Sequence, residues 1–389
     1  MAKVTLTTAR TAEGEAAAAA DELVGALGGA RPELAMLFIG SRRDQGAIYR
    51  AVRERLPRAT KVVAASSDTA IDNAGFHENG VVLAALSGDL EVGVGLGRGL
   101  ASDASGAGIA AVNQALAELG ARPSDVDPRT YVAMVIDDGY RLKKEELLLG
   151  ILTEAPALSL VGGGAGSHLP LGDPGVAGVV QAGGETLGDA ALVVVVRTRA
   201  PWAVLRHHAY RPLGERLTIT KVDPSCKLAL EIDGQPAARA YAERLGVGVD
   251  ELAFGLPRGF SDRPTAVRVG REYFMHAAIK PLPDDSILFC NLLREGTELE
   301  LMQLVDMGEA LAAFLRDELP SRVPSPQATL LFSCNARSWV ARRQGMQAGL
   351  DRALSLAPPS AGMNAMFELY NGFQINSTIT VLAFGARDE

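Results

Sequence analysis

The chain alternates short apolar runs with polar, glycine-punctuated segments, and the period of the apolar positions changes along it. Residues 34–39 form an apolar run of strand length. They lead into 44–56, where Ile48, Val52 and Leu56 fall at i, i+4, i+8 on one helical face. A second apolar run at 61–65 gives way to a loop rich in Ser, Asp and Asn, and a third at 81–86 closes at Gly88. The order strand, helix, strand, loop, strand recurs at 131–136, 142–152, 158–161 opening into Gly162, Gly163 and Gly164, and 190–197. It recurs once more as a strand at 329–332, a helix carrying Met346, Leu350 and Leu354, a loop at Gly362, and a strand at 379–384 stopped by Gly385. Three copies, at 34–88, 131–198 and 328–385, predict a pseudo-symmetric α/β (mixed α+β) fold of repeated units. Two packed mixed sheets with helices on their outer faces are expected.

Between the second and third copies the pattern turns to strict alternation, so 202–210, 216–222, 227–232, 266–276 and 286–293 read as antiparallel strands. A turn at Asp233 and Gly234 precedes a short helix at 235–246, and a helix at 306–319 is expected to end at Pro320. Pro201 interrupts two strand runs where the second copy finishes. The boundary therefore falls near Ala200, giving domains at 1–200 and 201–389, as a 389-residue chain suggests.

Composition narrows the function classes. With 48% apolar and 22% charged residues the chain should fold rather than stay disordered. A net charge of -8 with no run of Lys and Arg argues against a nucleic-acid partner. Cys226, Cys290 and Cys334 are far apart, without a CxxC, which suits a reducing cytoplasm and supplies no zinc site. The acidic N-terminal region lacks the pattern of a signal peptide, and the longest apolar run, 190–196, is too short to span a bilayer, so no membrane association is expected.

Gly93, Gly95, Gly97 and Gly99 superficially suggest a dinucleotide loop, but Arg98 and Leu100 stand where the third glycine of GxGxxG belongs. A bending edge strand is the better reading. There is no Gly-Lys pair for a Walker A loop and no GxSxG for a nucleophile elbow. His77, His168, His207, His208 and His276 show no metal-ligand spacing, although any one could serve as a single axial ligand to haem. Asp137 and Asp138 end a strand before Gly139 and could bind an ammonium group or cap the next helix. Gly163 and Gly164 would let a backbone approach a ligand closely, or simply turn. The densest polar cluster lies in the third copy. Cys334, Asn335 and Arg337 leave a strand end together, and Asn364, Glu368, Tyr370, Asn371 and Asn376 crowd the segment beyond Gly362. Such groups around an apolar pocket would recognise a carboxylate or zwitterion, with Arg337 as anion anchor and Asn364 and Glu368 as directing groups. Loop structure alone would also account for the asparagines. Cys334 as the nucleophile of a thiol enzyme is an alternative, against a buried inert thiol.

Longer stretches resemble the FIST family, with its FIST N and FIST C domains. They are LAMLFIGSRRD (34–44), VVAASSDTAI (62–71), LVGGGAG (160–166) and ALVVVV (191–196), then LTITKVD (217–223), LEIDGQPAARAYAERLG (230–246), LREGTELELM (293–302), LLFSCNAR (330–337) and GMNAMFELYNGFQINSTITVLAFG (362–385). The tail departs from the family's aromatic-Gly-Glu pattern, because Met366 and Phe367 precede Glu368. The resemblance implies a non-enzymatic sensory module of bacterial intracellular signal transduction that binds a small ligand, amino acids among the candidates. It would signal to a separate histidine kinase, cyclic-nucleotide enzyme or chemoreceptor. Some relatives are haem-binding nitric oxide sensors, which keeps haem as the alternative cofactor reading where none is otherwise expected.

Overall fold

In the computed structural model, which describes residues 2–169 and 176–386, the three sequence copies become three four-stranded units of identical topology. The first holds β1 (Val4–Thr11), β2 (Leu34–Gly40), β3 (Lys61–Ser67) and β4 (Val81–Gly88). The second holds β5 (Glu91–Arg98), β6 (Tyr131–Asp138), β7 (Ser159–Ala165) and β8 (Ala190–Arg197). The third holds β9 (Trp202–His208), β10 (Pro326–Cys334), β11 (Ser360–Tyr370) and β12 (Thr378–Gly385). In each unit the second and third strands run parallel through a crossover, the fourth pairs antiparallel with the second, and the first pairs antiparallel with the fourth. The leading strand of each unit extends the repeat beyond the copies legible in sequence.

The second and third units join edge to edge into one sheet, and the first unit forms another packed against it. Leu34, Met36 and Phe38 meet Met134, Ile136, Leu330, Phe332 and Met363 in the core between them. Helices cover the outer faces. α1 (Ala16–Gly25) and α2 (Gln45–Arg55) lie on the first sheet, while α3 (Leu100–Glu118), α4 (Lys144–Glu154), α5 (Asn335–Arg343) and α6 (Gln347–Leu354) lie on the larger one. Residues 210–304 build a third sheet, entirely antiparallel, around the helix Ala237–Leu245.

The units interlock by exchanging hairpins in a cycle. The hairpin Thr69–Asp72 and Gly75–Glu78 of the first unit pairs with Ala361–Met363 of the third. The hairpin Val180–Ala182 and Glu185–Leu187 of the second pairs with β3 of the first, and the distal half of β11 pairs with β7 of the second. As a result the third strands of all three units converge. Ser66 Oγ donates to Gly166 O at 2.8 Å, and Ser67 Oγ donates to Asn364 O at 2.8 Å.

The glycines of β5 owe their place to helix packing. A Cβ on Gly93 or Gly95 would lie 1.9 Å from Ala115 O or Ala111 O, so only bare backbone lets α3 sit this close. β5 is the edge strand the pattern predicts, and its edge is blunted: Val94 and Leu96 N–H donate to Glu118 and Gln114 of α3.

Four local expectations are corrected. Gly162–Gly164 continue β7 instead of opening a loop, Gly362 and Asn364 lie inside β11, and Cys334 passes straight into α5. The helix beginning at Met307 runs on to Arg322, because a π-helical turn at Phe314–Glu318 absorbs Pro320, which has no N–H to lose.

Gly95→Ala should destabilise the protein by about 1–3 kcal/mol through this backbone clash. Gly25→Ala, in α1 with nothing within 4 Å of the new Cβ, should stabilise it by roughly 0.5–1 kcal/mol. Chemical denaturation of the two variants checks the pair; a neutral Gly95→Ala would refute the packing argument.

Candidate functional site

The polar cluster of the third unit sits where β10 ends and β11 continues. β10 pairs with β11 only as far as Cys334 opposite Ala365, and from Met366 onward β11 pairs with β7. At the changeover lies a bulge at Phe367, with Met366 opposite Gly164 and Glu368 opposite Gly163. Gly164 and Gly163 face opposite sides of the sheet, so Met366 and Glu368 do too, although two residues in a regular strand would share a face. Phe367 has φ of +62°, in the region that favours glycine. An aromatic residue held in that conformation costs on the order of 1–3 kcal/mol, stabilised elsewhere by the ladders on both sides.

A cavity of about 400 Å³ opens at the bulge. Its walls are Cys334, Asn335, Ala336 and Trp339 from the start of α5, Ala365–Phe367 from β11, and Phe254, Ala278, Ile279 and Cys290 from the antiparallel sheet region. The surface is mainly apolar, with Asn335 its polar side chain; Asn335 Nδ2 lies 3.8 Å from Met366 Sδ. None of the five histidines is on these walls.

Behind the wall lies a buried polar group. Glu368 is wholly buried; its Oε2 accepts from Thr378 Oγ1 at 2.7 Å and from Thr378 N–H at 3.3 Å, while Oε1 has no partner among the described residues. Burial pushes its carboxyl up to about 8, against the opposing pull of Thr378, Cys334 and Arg337. Burial and the neighbouring Glu368 likewise hold the Cys334 thiol well above its ordinary range, so the nucleophile reading gains no support. Arg337 is 2% exposed, on the inward face of α5 rather than on the cavity wall. Asn364 Oδ1 accepts from Ser338 Oγ at 2.9 Å, and its Nδ2 is unpartnered.

The structure thus gathers Cys334, Asn335, Arg337, Asn364 and Glu368 into one region. Gly163 and Gly164 back it as strand residues: a Cβ on Gly163 would meet that of Ala365 at 2.5 Å. Three residues stand apart. Asp137 already holds an ammonium, that of the buried Lys144. Tyr370 lies at the end of β11 beside Phe274 and beneath the Arg206 guanidinium, 5.4 Å from its ring centroid. Asn376 bridges Ala277 N–H and Asn291, tying β12 to the antiparallel sheet. Asp138, the other acid of the pair, caps rather than binds: it accepts from Tyr140, Gly178 and Asp189 N–H. The walls from Phe254, Ala278, Ile279 and Cys290 escaped sequence reasoning because their apolar alternation also describes an ordinary core.

Among solved structures, cyanuric acid hydrolase from A. caulinodans aligns over 100% of both chains at 12% identity with a TM-score of 0.38. Phosphoribosylformylglycinamidine synthase II from Thermotoga maritima aligns with 98% of this chain and 72% of its own, at 12% identity and a TM-score of 0.21. No curated protein matches the sequence. The FIST N domain is matched over residues 33–235, which runs from β2 of the first unit through the second unit and β9 of the third into the antiparallel sheet. The class is that of a sensory domain of signal transduction. The chain belongs to the FIST family. Among the described residues no helix is long and apolar enough to cross a membrane.

The folded state holds the Glu368 proton more tightly than an unfolded chain, whose glutamate titrates near 4.5. Its stabilising contribution is full below that value and is lost as pH rises to about 8. Glu368→Gln should therefore melt close to wild type near pH 5 and above it beyond about pH 8. Thermal unfolding across that range checks the divergence; parallel curves would refute the shift.

Proposed function

We propose that this chain is a small-ligand input module of intracellular signalling, binding an amino acid or related metabolite in the bulge cavity and acting on a separate output protein without turning the ligand over. The observation that carries the reading is the cavity itself: about 400 Å³, within the usual size of small-molecule sites, walled mainly by apolar groups with Asn335 as its polar side chain. Cys334 and Asn335 meet the ligand directly in this reading. Arg337, Asn364 and Glu368 set the polarity behind them, the guanidinium favouring an anionic end. A position on the strand that pairs with all three units suits a sensor, since occupancy of the bulge bears on both interfaces of the third unit. A histidine kinase, cyclic-nucleotide enzyme or chemoreceptor would read it.

Trp339 lies on the cavity wall, stacked near Phe254 and under Arg343, so its emission reports occupancy. Titration with amino acids should change that emission and raise the melting temperature, by about 2.7 kcal/mol of stability at 100 times Kd. Ala336→Phe, which fills the cavity, should abolish both responses while the variant stays folded. A panel of amino acids and central metabolites that moves neither observable would sink the proposal.

A further inference from the structure

On the opposite side of α5's start from the cavity, one register row crosses four strands of the third unit. His207 of β9 pairs with Ile379 of β12, Ile379 with Ser333 of β10, and Ser333 with Asn364 of β11. Directly paired residues share a face, and Ile379 packs in the cluster that includes Val340 and Ala341 of α5. The row therefore faces α5, and Arg337 comes down onto it from that helix. Ser338, its neighbour, fixes the approach through Asn364 Oδ1.

Four polar atoms along this row and on the helix above it are buried without a partner among the described residues: Arg337 Nη1, Asn364 Nδ2, Ser333 Oγ and, two strands from Ser333 beyond Ile379, His207 Nε2. Arg337 and Asn364 are each 2% exposed and Ser333 is fully buried. Native interiors leave few such groups unpaired, and the three that lie on adjacent strands β10 and β11 and on the helix above them, Ser333, Asn364 and Arg337, point to something that occupies the place between them. The chemistry of the set is one-sided. A guanidinium is always charged and offers only donors, the Asn364 amide presents its NH₂ because Oδ1 is taken, and a serine hydroxyl can donate. Arg337 forms no ion pair with any described residue, and Glu368, the carboxyl its charge reaches, is held towards neutrality by burial. A guanidinium buried without a counter-charge is strongly unfavourable.

We propose that this enclosure binds a compact anion of carboxylate type, with Arg337 as counter-charge and Asn364 Nδ2 and Ser333 Oγ as further donors. This deepens the ligand reading above by assigning a charge class, but it stands on separate atoms. The anion is either the carboxylate end of the cavity ligand or a free ion of the same chemistry.

The test uses the full chain at constant ionic strength, comparing sodium formate and acetate with gluconate, which is too bulky to enter. The melting temperature should rise with formate or acetate and stay flat in gluconate. Arg337→Met should lose the rise and melt no lower than wild type in gluconate, since it no longer buries an unpaired charge. Ser333→Ala, which removes one neutral donor, should raise the half-saturating formate concentration roughly fivefold and covers the case in which Arg337→Met does not fold. A formate response that survives in Ala336→Phe identifies a free ion; a response lost there identifies a carboxylate arriving through the cavity. Identical wild-type melting in gluconate and formate, or an undiminished formate response in both Arg337→Met and Ser333→Ala, would overturn the proposal and leave ordered water as the occupant. Trp339 emission reports the cavity separately, so failure of the anion site and failure of the amino-acid reading give different results.

Discussion

The strand pairings that join the third unit to the other two all run through the backbone of one strand. β11 gives its first half to β10 and to the hairpin Asp72–Ala70 of the first unit, then crosses to β7 of the second. Its register is consequently set from three directions at once. A slip by one residue would turn Met363 and Ala365 out of the inter-sheet core and carry Gly362 and Asn364 into it. That rigidity is what allows a bulky residue to be held at positive φ at Phe367. It is also why the bulge, the cavity and Glu368 occur together: the extra residue changes the face of everything beyond it.

The polar interior of the third unit follows from the same changeover. Because β10 stops at Cys334 while β11 continues, a gap is left in the sheet that Glu368 closes by reaching to Thr378 at the start of β12. Groups that would be solvated at an ordinary strand end are covered instead by α5 and by the antiparallel sheet. The corresponding position in the second unit is resolved differently. There Asp137 is neutralised by Lys144, and Asp138 is saturated by backbone donors and Arg141, so both acids have partners among the described residues. Related topology thus gives different polar outcomes in the two units, and the proposed ligand site rests on the third.

Much of this was legible in the residues. The repeated order of strand, helix and strand gave the units, and apolar runs such as those of β2, β6 and β10 gave the cores, because burial on both faces leaves a continuous signature. The polar cluster was legible as a cluster. What was not legible was how it divides: Arg337 and Asn335 are two residues apart, yet on a helix they face the interior and the cavity respectively. Reading Cys334–Arg337 and Gly362–Asn364 as loops hid that distinction. The hairpin exchange also left no mark, because pairing between Ala361 and Asp72 is a tertiary choice that neither segment encodes alone.

The cycle of hairpins has a consequence for how the chain is made. Ser67 and Asn364, which hydrogen-bond where the units converge, are 297 residues apart. At ribosomal rates of about 5–20 residues per second, the first unit waits roughly 15–60 s for the strand that completes it. Until then its hairpin presents an open edge, and pairings of such long range are intrinsically slow to form. The arrangement that interlocks the finished molecule therefore leaves the nascent one with an unpaired strand edge for most of its synthesis.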